Sequence, residues 1–354
     1  MNQLNPSSEK KFIASLHGLR GIAVLYVLLA HLGGNSLFLV PIPHGSIGKV
    51  GVWIFFSLSA FLLTSNLLRE SSSASSKWGA LLQYAVHRVF RIYPLLIVVL
   101  VFYWIRGDIS ATGIVENLLL VEGEDVLWAI PVEFQYYLII PMVVAAAVRL
   151  SSKPVCRALL AVSAASLLYG VVNPGSVFSN GLNIFPKIVP FCFGSMLALA
   201  SWRSSSSTQV GTSGRAHPIV PWASVAGLLF VTVLYRFVSI GELSNRLAPW
   251  VSLAIGAAVC GTIYSSLHAG ALARFLSARP LVYLGKISFS IYLLHMFVIH
   301  CVRAWIEIPA SAQGWLVVAL TMLIASLSYR YIERPGIEAG RVLGNRLQAA
   351  LIRV

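Results

Sequence analysis

Four ionisable side chains stand in stretches that are otherwise apolar: Arg20, His31, Glu133 and His295. An ionisable group at the centre of a membrane costs about 2.5–3.5 kcal/mol on insertion scales, so each needs a reason. Arg20 and His31 are eleven residues apart in SLHGLRGIAVLYVLLAH. In a helix that separation is three turns plus about 20°, with a rise of about 16 Å, so both side chains share one face at different depths. An imidazole there could take a proton from a hydroxyl at neutral pH. Glu133, in VLWAIPVEFQYYLIIP, could pair with such an imidazole and orient it. Pro131, two residues earlier, is expected to disturb the helix locally. His295 lies in SFSIYLLHMFVIH. Arg88 and Arg91, in HRVFRIYP, are spaced i,i+3 and so share a helix face, where two guanidiniums make a phosphate clamp or a lipid head-group anchor.

The elements that hold these groups are membrane spans. The chain has 354 residues, of which 57% are hydrophobic and 11% charged. That excludes a disordered chain and an ordinary soluble enzyme. The fold class expected is all-α, a polytopic membrane protein of about ten transmembrane helices, near residues 13–33, 50–68, 86–105, 126–148, 155–173, 183–202, 218–238, 248–268, 280–302 and 314–332. The organisation expected is a short tail over 1–12, a membrane domain over 13–337 and a second tail over 338–354. Segment 111–121 is apolar but too short to cross, and 70–77 and 203–217 read as serine-rich loops.

The net charge of +14 is explained by topology rather than by nucleic acid. With both termini cytoplasmic, most of the 26 Lys and Arg residues fall on the inner side, as the positive-inside rule requires. Arg88 and Arg91 then lie toward the cytoplasm and His31 toward the outside. The first apolar stretch lacks a cleavage pattern and reads as a retained span. The four cysteines are dispersed and read as inert core thiols, and no spacing suggests a metal. His300 reads as interfacial; His44, His87, His217 and His268 are assigned no role.

Several motifs, in this order, resemble the acyltransferase-3 family of polytopic membrane acyltransferases, typified by bacterial O-acetylases of surface glycans. They are SLHGLRGIAVLYVLLAH (15–31), FFSLSAFLL (55–63), RVFRIYP (88–94), LWAIPVEFQYYLIIP (127–141), LGKISFSIYLLH (284–295) and SYRYIERP (328–335). Departures from the family pattern are His17 for aspartate, Ala60 for glycine, Ala129 and Pro131 in the tryptophan–glutamate motif, and Phe289 for tyrosine.

The resemblance implies transfer of an acyl group, usually acetyl, from cytoplasmic acetyl-CoA or another acyl-CoA to a glycan hydroxyl in the bacterial inner membrane. The acceptor would be a surface or secreted polysaccharide or its lipid-linked precursor, with a small secondary metabolite as the alternative. His31 would be the catalytic base, with Glu133 orienting a hydroxyl or an imidazole. Arg20 would line the donor channel, and Arg88 and Arg91 would hold coenzyme A phosphates. Ser57, Ser59, Trp128, Tyr292 and His295 are candidates for contacting substrate or the oxyanion. The competing reading is a transporter or flippase, which the same buried charges would suit. Against it, no inverted repeat is visible in the sequence.

Overall fold

The computed structural model describes residues 6–34, 37, 46–73, 77–207, 219–238, 242–266 and 270–352. His44, His217, His268 and parts of both serine-rich stretches lie outside these residues. Among the described residues of the chain all regular structure is helical, and there is no strand. Its elements are α1 (Pro6–Gly34), α2 (Ser46–Ser73), α3 (Lys77–Arg106), α4 (Ala111–Leu118), α5 (Ala129–Leu150), α6 (Ser152–Val172), α7 (Val189–Ser207), α8 (Ile219–Val238), α9 (Glu242–Ser266), α10 (Ala271–Leu276), α11 (Arg279–Lys286), α12 (Ser288–Trp305), α13 (Ala310–Ser328) and α14 (Arg334–Ile352). A 3-10 turn, Asp125–Trp128, leads into α5, and a π-helical turn, Tyr329–Glu333, joins α13 to α14.

Eight stretches are helical, long and apolar enough to cross a membrane, and two shorter apolar helices, Val189–Trp202 and Ile219–Val233, stand at the sixth and seventh expected spans. The ninth expected span, 280–302, is two helices, since the chain leaves helical geometry at Ile287 between α11 and α12. Pro131 sits in the first turn of α5, where no intrahelical donor is lost, so it does not interrupt the helix; the proline inside α5 is Pro141. The third helix begins about two and a half turns before the expected position 86, and 338–352 is the body of α14, packed along α3. The short segment after 110 is a true helix, capped by the Ser110 side chain, which accepts from the Gly113 N–H at 3.0 Å.

Large apolar side chains face outward, as a lipid solvent requires: Leu138, Met142, Leu168, Trp222, Phe230 and Trp315 are all exposed. Interior contacts depend on small residues and stacked rings. At Gly194, α7 approaches α2 so closely that a side chain would run into the Ser57 carbonyl. The position also lies against the Ala60 methyl. The glycine-to-alanine departure at Ala60 therefore falls at a helix crossing, and its side chain is fully buried there. Phe191 stacks on Phe56 and on Tyr136, with centroids 4.3 and 4.5 Å apart. The Tyr136 hydroxyl and the Thr64 hydroxyl each lie 2.8 Å from Ser195 Oγ, giving the α2–α5–α7 contact a polar seam. All four cysteines are free thiols.

Candidate active site

α1 carries two separate constellations. At its Arg20 end a cavity of about 610 Å³ opens among α1, α2, α3, α5, α7 and the start of α12. Arg20, Arg88, Arg91, Glu133 and Ser59 all line it, together with His17, Asn66, Arg69, Tyr137 and Phe289. The volume is within the usual range for small-molecule sites. The Nε atoms of Arg20 and Arg88 are buried without hydrogen-bond partners. Buried donors are normally satisfied, so these two ask for an anion from outside the chain. Arg20 lies over the Phe55 ring at 5.8 Å, and Arg88 over the Tyr137 ring at 6.0 Å, which fixes both guanidiniums against flat apolar faces. The charges acting on Arg20 are Arg91, which repels it, and Glu133 and Glu333, which attract it.

Glu333 was not singled out in the sequence. It closes SYRYIERP at the π-helical turn, is 1% exposed, and accepts a 3.0 Å hydrogen bond from Ser290 Oγ through Oε2. Its Oε1 has no partner. A carboxylate in an apolar run just after the last span was the available signal, masked by the arginines on either side of it.

At the other end of α1 stands a pair of imidazoles. His31 Nδ1 lies 3.3 Å from His295 Nε2, and the ring centroids are 4.9 Å apart, edge to face. The backbone assigns the protons. A carbonyl only accepts, so His31 Nδ1–H donates to Val27 O at 2.8 Å. By the same logic His295 Nδ1–H donates to Tyr292 O at 2.8 Å and Ile291 O at 3.1 Å. The lone pair of His295 Nε2 therefore points at His31, and the neutral His31 ring carries its own lone pair on Nε2. The pairing of an imidazole with Glu133 does not form at His31. Glu133 stands in the arginine cavity beside Tyr137, and the ring that faces His31 is His295. His31 is not among the residues lining the arginine cavity.

The remaining candidates divide. Ser57 is fully buried and its Oγ has no partner, whereas Ser59 faces the cavity. The Tyr292 hydroxyl donates to Val126 O at 2.6 Å; its proton is committed there, which removes it as an oxyanion donor. Trp128 is buried edge to face on Phe56, with the ammoniums of Lys49 and Lys187 at 5.5 and 5.7 Å from its ring. Lys187, outside the spans, donates to Gly181 O at 2.9 Å and Asn183 O at 3.3 Å, and burial lowers its pKa to about 8. His300 Nδ1 lies 3.0 Å from Arg106 Nη2, and Arg106 also holds Asp108 at 2.6 Å. His87 sits on α3 beside Gly344 of α14.

The acyltransferase-3 family pattern, described as an acyltransferase domain, matches residues 13–330. Residues along the chain are 27% identical to O-acetyltransferase OatA of Staphylococcus aureus (strain NCTC 8325 / PS 47), over 94% of this chain and 58% of that protein. Peptidoglycan O-acetyltransferase OatA of Listeria monocytogenes is also 27% identical, over 92% of this chain and 56% of its own length. The chain thus spans less than two thirds of the length of these relatives. No solved structure matches it. Motifs in family order, spread over helices that enclose an arginine cavity and an imidazole pair, and matched by one pattern from residue 13 to 330, make this chain a member of the acyltransferase-3 family.

Proposed function

We propose that the protein is a membrane O-acetyltransferase that carries an acyl group from cytoplasmic acetyl-CoA to a hydroxyl of a cell-surface glycan or its lipid-linked precursor. The carrying observation is the disposition of α1: unsatisfied guanidiniums at its Arg20 end and a hydrogen-bonded imidazole pair at its His31 end. The relatives named as O-acetyltransferases, one of them of peptidoglycan, support the glycan class of acceptor.

In this reading the phosphates of the acyl donor bind Arg88 and Arg91, with Arg20 and Arg69 extending the cationic wall. Glu133 and Glu333 supply counter-charge to Arg20, and Glu333 also to Arg91. The long arm of the thioester runs along α1 toward His31. His31 Nε2 accepts the proton of the acceptor hydroxyl as oxygen attacks the thioester carbonyl. The imidazolium so formed is stabilised through Nδ1–H by Val27 O and by the lone pair of His295 Nε2. The same ring returns its proton to the departing thiolate. Ser57 Oγ, buried and unpartnered, stays a candidate to donate to a developing negative charge.

Acyl transfer and transport separate in one assay. Purified protein in detergent, given radiolabelled acetyl-CoA and a soluble peptidoglycan tetrasaccharide, releases free thiol and labels the sugar with no gradient present. Absence of both, with transport of the sugar across a vesicle membrane, would favour the flippase. Mass spectrometry of the cell-surface glycan with and without the protein then shows whether an acetyl mass is lost.

A further inference from the structure

The arginine cavity holds a third orphaned nitrogen that the donor scheme does not use. His17 lines it together with Arg20, Arg88 and Arg91, and His17 Nδ1 is buried with no hydrogen-bond partner. His31 and His295 spend Nδ1–H on backbone carbonyls of their own helices. His17 does not, so no bond to Nδ1 fixes its tautomer, and this nitrogen can carry a proton that no acceptor in the chain receives.

Helix packing aims the ring. Gly18 and Gly21 lie so close to the carbonyls of Leu276 and Leu281 that a side chain at either would clash. This pair, spaced i,i+3, turns one face of α1 onto α10 and α11. His17 and Arg20 each precede one of the two glycines by a single residue, so both are rotated about 100° off that contact, and both reach the cavity. Three residues apart on one helix, their Cβ atoms stand about 5–6 Å from each other, and one phosphate can meet both side chains. The buried orphans among the cavity-lining residues then form one set. Arg20 Nε and Arg88 Nε can only donate, and His17 Nδ1 donates in one of its two tautomers. A phosphate, with several acceptor oxygens, can satisfy all three; a single hydroxyl or amide oxygen, with two lone pairs, cannot.

We infer that His17 is a ligand of the donor's phosphate, with Nδ1–H donating to a phosphate group that Arg20 also bonds. The inference rests on the proposed donor site and adds to it a residue at a position where the family pattern carries aspartate. Aspartate there would do the reverse. It would repel the phosphate and would offer Arg20 a carboxylate three residues away on the same helix. This cavity therefore holds its anion more tightly than one built on the family pattern.

The test measures acetyl-CoA affinity by calorimetry in detergent for wild type, His17→Asn, His17→Ala and His17→Asp, each checked for a monodisperse profile and thermal unfolding. His17→Asn keeps an N–H donor near the place of Nδ1 and is expected within about threefold of wild type. His17→Ala is expected to bind about tenfold more weakly, and His17→Asp about a hundredfold. Asparagine and aspartate share one shape, so that pair separates charge from packing and decides the matter if the alanine variant does not fold. Equal affinity of the asparagine and aspartate variants overturns the inference, and so does a loss in His17→Asn as large as that in His17→Ala. Wild-type binding of acetyl-CoA by all three variants, with less phosphatidylglycerol retained in native mass spectrometry, assigns the site to a lipid head group and overturns it too. Failure of the acyl-transfer reading shows separately. If wild type binds acetyl-CoA but transfers nothing, the same titrations still decide His17. If wild type binds no acetyl-CoA, the donor reading fails, and titration with inorganic pyrophosphate decides His17 as a phosphate ligand: affinity falling from Asn to Ala to Asp upholds it, and equal affinities overturn it.

Discussion

At the scale of single residues, proton bookkeeping separates His31 from His295. Both rings spend Nδ1–H on backbone carbonyls of their own helices, so both are held in one tautomer by the turn that precedes them. His31→Ala is expected to reduce transfer by at least about 10²-fold while the protein still inserts and unfolds at the wild-type temperature. Product formation in matched membrane preparations checks this. His295→Asn should act through His31 instead: rate falls about 10²-fold, acetyl-CoA affinity is retained, and the pH–rate profile changes as its neighbour loses the Nε2 acceptor. An unaltered profile would reduce His295 to a packing residue. Arg20, His31, His295 and the Arg88–Arg91 pair were legible in the sequence because a charge in an apolar run is conspicuous. The resemblance already set Arg20, Arg88 and Arg91 on one donor side, and all three line one cavity; the pairing of His31 with His295 was not foreseen. The sequence reading offered Glu133 to an imidazole, whereas the fold sets it among guanidiniums.

At the scale of elements, hydropathy carries the long spans and misses their interruptions. Pro131 looked like a disturbance by type, yet its place in the first turn of α5 makes it harmless. The break at Ile287 has no proline and no glycine of its own to announce it. It arises where Gly285 packs so tightly on the His17 carbonyl that α11 cannot be displaced from α1. The α2–α7 crossing has the same character. Gly194→Val should destabilise the protein by about 1–3 kcal/mol by forcing the helices apart at Ser57. A thermal melt in detergent checks this. Replacing Arg88 and Arg91 together with Ala should weaken acetyl-CoA binding by about 1.5–3 kcal/mol for each charge-assisted bond lost. Unchanged calorimetric affinity would remove the clamp.

At the scale of the whole molecule, basic side chains gather at the Arg20 end of the bundle and acidic loop residues near the other. A cysteine at Glu122, in a protein whose own thiols are replaced by serine, should react with an impermeant maleimide on intact cells. One at Arg274 should react only after permeabilisation, and the reverse pattern would invert the molecule. Lys187 gives a pH dependence with a definite sign. Its folded pKa is about 8, below the model-peptide value of 10.5, so the unfolded chain binds the proton more tightly. The burial penalty is fully present below pH 8 and is relieved as pH rises from 8 toward 10.5. Wild-type melting temperature should therefore climb, relative to Lys187→Met, across that interval.

The π-helical turn at Tyr329–Glu333 inserts one residue more than an α-helix would hold between α13 and α14. That surplus sets the azimuth at which Glu333 meets Ser290 and lends its charge to Arg20. Excising Tyr331 alone would let the helix close to regular pitch and swing the carboxylate by about 100°. The donor side would then lose a counter-charge without the loss of any atom that touches substrate. The length of this short stretch is thus itself a functional quantity, and a chain altered there by a single codon would keep every proposed catalytic residue yet bind its thioester poorly.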